Sequence, residues 1–160
     1  MKKATKASEN CYYKARYAAA QSNDKFESRE NASEVIGIDR TRLARIELGN
    51  VVPYADEVLA MSDAYHAPEL CYNHCANDCP IGQRTMTKVE VSSFDRLSLK
   101  VLGSLNDIES LRQSIINISQ DGKVDPEEQG EFQNILDSLD KISTNAKALQ
   151  LWAMKNIEFK

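Results

Sequence analysis

"IGIDRTRLARIELGN", residues 36–50, decides how this chain is read. Three arginines, Arg40, Arg42 and Arg45, share a short segment with Leu43, Ile46 and a stop at Gly49. On a helix, Arg40, Thr41, Ala44 and Arg45 fall within an arc of roughly 140°. Leu43 and Ile46 fall on the opposite side, and Arg42 sits on the flank. The segment therefore has an inward hydrocarbon edge and an outward cationic edge. A helix that merely faces solvent has the same pattern, so the flanking residues must discriminate.

Working outward, Ser28 is positioned to cap a helix, "RENASEVI", whose first turn carries Glu30. Gly37 stops it, Ile38 is one apolar residue in the turn, and Asp39 caps a helix over 40–48 that Gly49 ends. Helix, tight turn and helix at this spacing predict a helix-turn-helix unit. Upstream, 9–23 reads as a helix and "DKFE", 24–27, as a polar connector. Downstream, Pro53 precedes a helix over "YADEVLAMSDAYH", and "APEL" opens a short fifth helix. His66, at a helix end, reads as a cap or packing residue.

If the unit enters a major groove, the outward edge has the right chemistry. Arginine can grip guanine O6 and N7, threonine can hydrogen-bond or touch a thymine methyl, and alanine permits close approach. Arg42, on the flank, is suited to a phosphate.

Residues 28–70 resemble the XRE/Cro family, the phage-repressor-like helix-turn-helix regulators. The resemblance is carried by Ser33 in the first helix, Gly37 in the turn and the cap at Asp39. "RIELG" at the end of the second helix, Pro53 after it and the apolar fourth helix complete it. It implies that Arg40, Thr41 and Arg45 read bases, with Ala44 beside them, and that Glu47 is a structural acid that hydrogen-bonds the backbone or pairs with an arginine such as Arg16. Arg29 stands where the family usually has glutamine, and an arginine there can still meet phosphate. The whole chain looks like regulators of low-GC Gram-positive bacteria that add a "CPIG" segment and a helical hairpin.

"CYNHCANDCP" spaces Cys71, Cys75 and Cys79 by four. On one continuous helix the outer two would stand about 12 Å apart along the axis, too far for one ion with sulfur bonds of about 2.3 Å. If Asn77, Asp78 and Pro80 turn the chain back, three thiolates converge, and Cys11 or His74 completes a zinc or iron–sulfur site. The other reading is free thiols, some packed as small hydrophobes.

Residues 81–92 lose periodicity and are expected to be a linker, between a domain at 1–80 and a second segment at 93–160. There, Phe94, Leu97, Val101, Leu105, Ile108, Leu111, Ile115 and Ile118 recur every three or four residues. A second seam runs from Phe132 to Ala153. Two long helices in a coiled-coil-like antiparallel hairpin are predicted, suited to homodimerisation as a four-helix bundle. A dimer would present two recognition helices to half-sites a helical turn apart. The connecting "NISQDGKVDPEE", 117–128, has the punctuation of a calcium loop, but only Asp121 and Glu128 would bind as strong acids. A tight turn, with Gly122 relaxing the backbone and Asp125 capping a helix opened by Pro126, fits it better.

The 160 residues carry a formal charge of −4, which argues against a protein that coats nucleic acid indiscriminately but not against a specific binder. Residues 1–87 hold 11 basic and 12 acidic side chains, 88–160 hold 9 and 12, so the N-terminal part is the better polyanion partner. No 18-residue apolar run exists, which predicts no membrane span. "MKKATKASENCYYKAR" lacks the apolar stretch of a secretory signal, and a cytoplasmic location is expected. No serine–histidine–aspartate set, phosphate loop or H-E-x-x-H argues for an enzyme.

The expectation is thus an all-α protein, a five-helix helix-turn-helix domain followed by a helical hairpin. Its expected function is a sequence-specific regulator of double-stranded DNA, a dimeric repressor acting by operator occlusion and gated by metal or redox state. The alternative is a protein-interaction module or antitoxin-like partner binder.

Overall fold

A computed structural model describes residues 6–157. The outermost residues of the expected 1–80 and 93–160 segments, and of the N-terminal stretch read for a signal, lie outside that range. The described residues are helical throughout, with no strand. They form two compact units that divide between Met86 and Thr87, inside the expected linker.

The first unit is built from local stop and start signals. Asn10 caps α1 (Cys11–Ala19) by accepting from the Tyr12 and Tyr13 N–H groups, and its Nδ2 donates 3.0 Å to the Ile46 carbonyl. One side chain therefore both starts α1 and ties it to a later helix. α2 (Arg29–Ile36) begins where Ser28 Oγ accepts the Asn31 N–H at 3.1 Å, and ends at Gly37, whose φ is 78°. α3 (Arg40–Glu47) begins where Asp39 accepts the Thr41 and Arg42 N–H groups at 2.9 and 3.0 Å. It closes at Gly49, with φ 72°, as the Asn50 N–H reaches back 2.9 Å to the Arg45 carbonyl. Only a residue without Cβ takes such φ values without strain.

α4 (Ala55–Tyr65) opens with Glu57 accepting the Tyr54 N–H at 2.7 Å. It ends at His66, which takes the left-handed conformation (φ 50°) that usually falls to glycine. His66 is thus a backbone cap, exposed, with no packing role to lose. His66→Gly is expected to raise stability by about 0.5–1 kcal/mol, because the strain of an L-residue at positive φ is relieved. Denaturant titration should show a higher midpoint at unchanged slope; a lower midpoint would contradict this.

The core collects Leu43 and Ile46 from α3, Val58, Met61 and Tyr65 from α4, Tyr12 and Ala15 from α1 and Ala32 from α2. Ile38, the single apolar residue of the α2–α3 turn, is buried among them. The expected polar connector at 24–27 is more than that. Asp24–Phe26 is a 3-10 turn, and Phe26 is buried edge-on against Tyr65 with ring centroids 5.2 Å apart. Three polar neighbours masked one aromatic anchor.

α5 (Glu69–Asn77) adds Leu70 to the core, and a single helical turn, α6 (Gly82–Thr85), packs on it. Part of the expected linker is therefore ordered structure. The reason is Gly82: a Cβ there would lie 1.8 Å from the Cys75 carbonyl oxygen, so the two backbones touch. Gly82→Ala should force α6 off α5 and cost about 1–3 kcal/mol. Amide exchange should rise in 75–86 first; unchanged protection there would refute the contact's importance.

In the second unit α7 (Phe94–Leu105) and α8 (Ile108–Ile118) both pack on α9 (Gln129–Asn156). The pairing is antiparallel. Phe94 meets Trp152 (centroids 4.9 Å), the Lys100 carbonyl accepts from Asn145 Nδ2 (3.1 Å), and Ile118 lies with Phe132 and Ile135. The expected single first arm is broken at Asn106 and Asp107. Gly103 weakens the helix there, and Asn and Asp side chains compete for backbone hydrogen bonds. At the turn, Gly122 has φ 73°. α9 opens at Gln129 rather than at Pro126, with no side-chain hydrogen bond at its N-cap; the Glu128 carboxylate accepts the Asp125 N–H at 3.1 Å within the turn that precedes it. Asp121 accepts from the Lys123 N–H and Asn117 from Gln113 Nε2, so these would-be calcium ligands serve local hydrogen bonds. No helix of the described residues is long and apolar enough to cross a membrane.

Candidate nucleic-acid interface

α3 is gripped from behind. Leu43 and Ile46 are in the core, and Glu47, in the helix's last turn, is fully buried. The Glu47 carboxylate takes two bonds from Arg16, at 2.6 Å from Nε and 3.1 Å from Nη2. Arg16 Nη1 donates in turn to the carbonyls of Phe26 (2.8 Å) and Glu27 (3.1 Å). The pair expected from the sequence is thus a four-contact clamp joining α1, α3 and the chain before α2. A second arginine shares the acid: Arg29 Nε lies 2.6 Å from Glu47 Oε2. Its side chain is one-third exposed, so it is anchored at one nitrogen while its tip faces outward.

Arg42 is held from the flank. Glu57 binds it through Nε and, at 2.8 Å, through Nη2, and its guanidinium lies 4.4 Å over the Tyr54 ring. Arg42 holds the Glu57 carboxyl below its usual range, and the Tyr54 N–H adds to this. The same Glu57 therefore starts α4 and locks α4 to α3. Arg42 is a tether between helices, which leaves its guanidinium little capacity for the phosphate contact that its flank position suggests.

The outward edge is free. Arg40, Thr41 and Arg45 are exposed and Ala44 is half-buried. Arg40 meets Glu30 only at 3.5 Å, with both side chains about two-thirds exposed. Such a pair is worth about 0–1 kcal/mol and yields readily to a phosphate or base. Arg40, Thr41 and Ala44 share a surface depression with Ser28, Arg29 and Glu30. So the first turns of α2 and α3 open on one side of the unit. Four of the six predicted contact residues, Arg29, Arg40, Thr41 and Ala44, line this depression; Arg45 is exposed on the same helix, and Arg42 is paired with Glu57.

The cysteines do not form a comparable site. Cys71 and Cys75 lie on the single helix α5 and Cys79 just beyond its end. The chain turns back after Asn77, but it lays Gly82, not Cys79, against the Cys75 backbone. Cys11 and Cys71 pack against the hydrophobic core, and burial pushes the Cys11 thiol above its usual range. Cys75 is exposed. His74 turns to Asp78, with Nδ1 3.4 Å from the carboxylate. Among the described residues no three His, Cys, Asp or Glu side chains gather as metal ligands. The convergence of three thiolates expected for zinc or an iron–sulfur cluster is therefore not formed: Cys71 and Cys75 sit one turn apart on α5, which ends at Asn77 before Cys79.

Comparison with known proteins finds no matching family model, no matching curated protein and no matching solved structure.

Proposed function

We propose that this chain is a sequence-specific DNA-binding transcriptional regulator that acts as a dimeric repressor by occluding its operator. The observation that carries this reading is the division of labour among the arginines. Arg16 and Arg42 are consumed in ion pairs that fix α3. Arg40 and Arg45 are left on its exposed edge with Thr41 and Ala44 between them. A helix that served only as a solvated surface would need no such anchoring on two sides. The likeness of residues 28–70 to phage-repressor-like regulators supports the same roles: Arg40, Thr41 and Arg45 at base edges, Arg29 at a phosphate. A cytoplasmic location accompanies this reading. Residues 93–160 supply the pairing surface.

The test is the salt dependence of binding to duplex DNA. Each phosphate contact contributes a slope of about −0.9 in log affinity against log salt. A steep fall together with preference for one duplex is the expected result.

A protein-interaction role is the second reading, favoured by the apolar side chains that the second unit exposes, among them Leu99, Leu102, Leu136 and Leu139. Salt-insensitive binding to a protein partner, with no duplex preference, would favour it.

A further inference from the structure

The half of the second unit nearest its turn has two unlike sides. One groove, reaching from the end of α7 between α8 and α9, has a rim of Ser110, Ser114, Asn134, Ser138 and Lys141 over Leu111 and Ile135. The other is apolar, lined by Ile115, Ile118, Phe132 and Ile135. Only Ile118 and Ile135 are buried there, while Ile108, Ile115, Phe132, Leu136 and Leu139 are substantially exposed. On α9, Phe132, Leu136 and Leu139 lie within roughly 100° of Ile135 on the side away from Asn134 and Ser138. On α8, Ile115 edges that groove, and Ile108, seven residues before it, is exposed on the same side of the helix. Two helices thus present one continuous apolar face backed by a polar one. That is the half-face of a four-helix bundle rather than a face solvated throughout.

Charge supplies the orientation. Residues 119–140, the turn and the first half of α9, carry seven carboxylates against one lysine, Lys123. Residues 141–157 carry Lys141, Lys147 and Lys155 and no carboxylate. Two copies packed tip to tip would lay one acidic turn along another. Two copies packed tip to base would lay the acidic turn of each along the lysine-bearing half of the other's α9. With the apolar faces centred near Leu136, the turn reaches the region of Lys147, since 11 residues of helix span about 16 Å.

We propose that a second copy of this chain covers the apolar face as an antiparallel, two-fold bundle, each acidic turn lying against the partner's lysine-bearing half of α9. The inference gives geometry to the pairing of residues 93–160 in the reading above and rests on that pairing alone, not on DNA binding. Like surfaces meet, as two-fold symmetry requires.

The experiment uses the full chain. An equal mixture of 14N- and 15N-labelled protein is treated with a zero-length carbodiimide crosslinker, and crosslinked peptides are read by mass. Mixed-isotope links from Glu127 or Glu128 to Lys147 are expected. In parallel, sedimentation at rising salt should show the dimer dissociation constant increasing a few-fold, as opposite charges are screened. Mixed-isotope links confined to Lys123 and the acidic turn, with dimerisation strengthened by salt, would overturn the antiparallel arrangement while leaving a dimer. A monomer at high protein concentration would overturn pairing itself. Leu136→Glu and, separately, Leu139→Glu should each yield monomer with an unchanged helical circular-dichroism signal. A folded dimer in both would refute the face. Failure of DNA binding with the crosslinks intact would count against the regulator reading only.

Discussion

Glu47→Ala should destabilise the first unit by about 3–5 kcal/mol, the cost of removing one partner from a buried ion pair. The physical reason lies in what remains. Arg16 is 5% exposed; without the carboxylate its charge keeps the carbonyls of Phe26 and Glu27 and the face of the Tyr13 ring, but no counter-charge at its Nε and Nη2. Arg29 loses its anchor too, but at one-third exposure it can turn to water. Against a total stability of about 5–15 kcal/mol, this single change removes a large share. At about 4–8 °C per kcal/mol for a domain this small, the thermal midpoint should fall by tens of degrees or the unit should not fold. Glu47→Gln keeps the shape and should cost less. The double change Arg16→Met with Glu47→Leu should recover much of the loss, because a buried pair replaced by packed hydrocarbon is often neutral. A drop below 1 kcal/mol in Glu47→Ala, measured by denaturant unfolding, would mean that the clamp does not hold α3.

The second large effect concerns reading rather than folding. Arg40→Ala and Arg45→Ala remove exposed side chains that bear on nothing in the core, so both variants should keep the wild-type unfolding midpoint within about 0.5 kcal/mol. Each should instead lose about 1–3 kcal/mol of discrimination at one base pair. Arg29→Ala should weaken binding to all duplexes alike and reduce the salt slope by about one. Arg40→Ala and Arg45→Ala test base contacts without disturbing the fold, whereas Arg29→Ala also removes one partner of the buried Glu47 carboxylate, so its binding loss is read at a temperature where the variant is folded.

The path from Ser28 to Gly49 was legible in the sequence because each signal there acts within four residues. Ser28 and Asp39 cap their own first turns, and Gly37 and Gly49 take their own positive φ. The Arg16–Glu47 pair, 31 residues apart, was reachable only through resemblance. Phe26 was missed because its polar neighbours set the reading of the segment, and a lone aromatic between helices was the available signal. Arg42 was assigned from helical angle alone. Nothing local announces that Glu57, 15 residues on, will bind it, although an acid in the first turn of the next helix is a hint. Gly103 with Asn106-Asp107 was the visible cause of the break between α7 and α8, overridden by the regularity of the apolar seam. The cysteine step of four keeps Cys71 and Cys75 on one helix, while Cys79 lies past the end of α5 at Asn77.

The most direct test of the recognition edge is in-vitro site selection from random duplexes with the wild-type chain and Arg45→Ala. A short palindrome is predicted for the wild type, with preference relaxed at one base pair of each half-site in the variant. Equal binding of both proteins to unselected duplex would contradict the account.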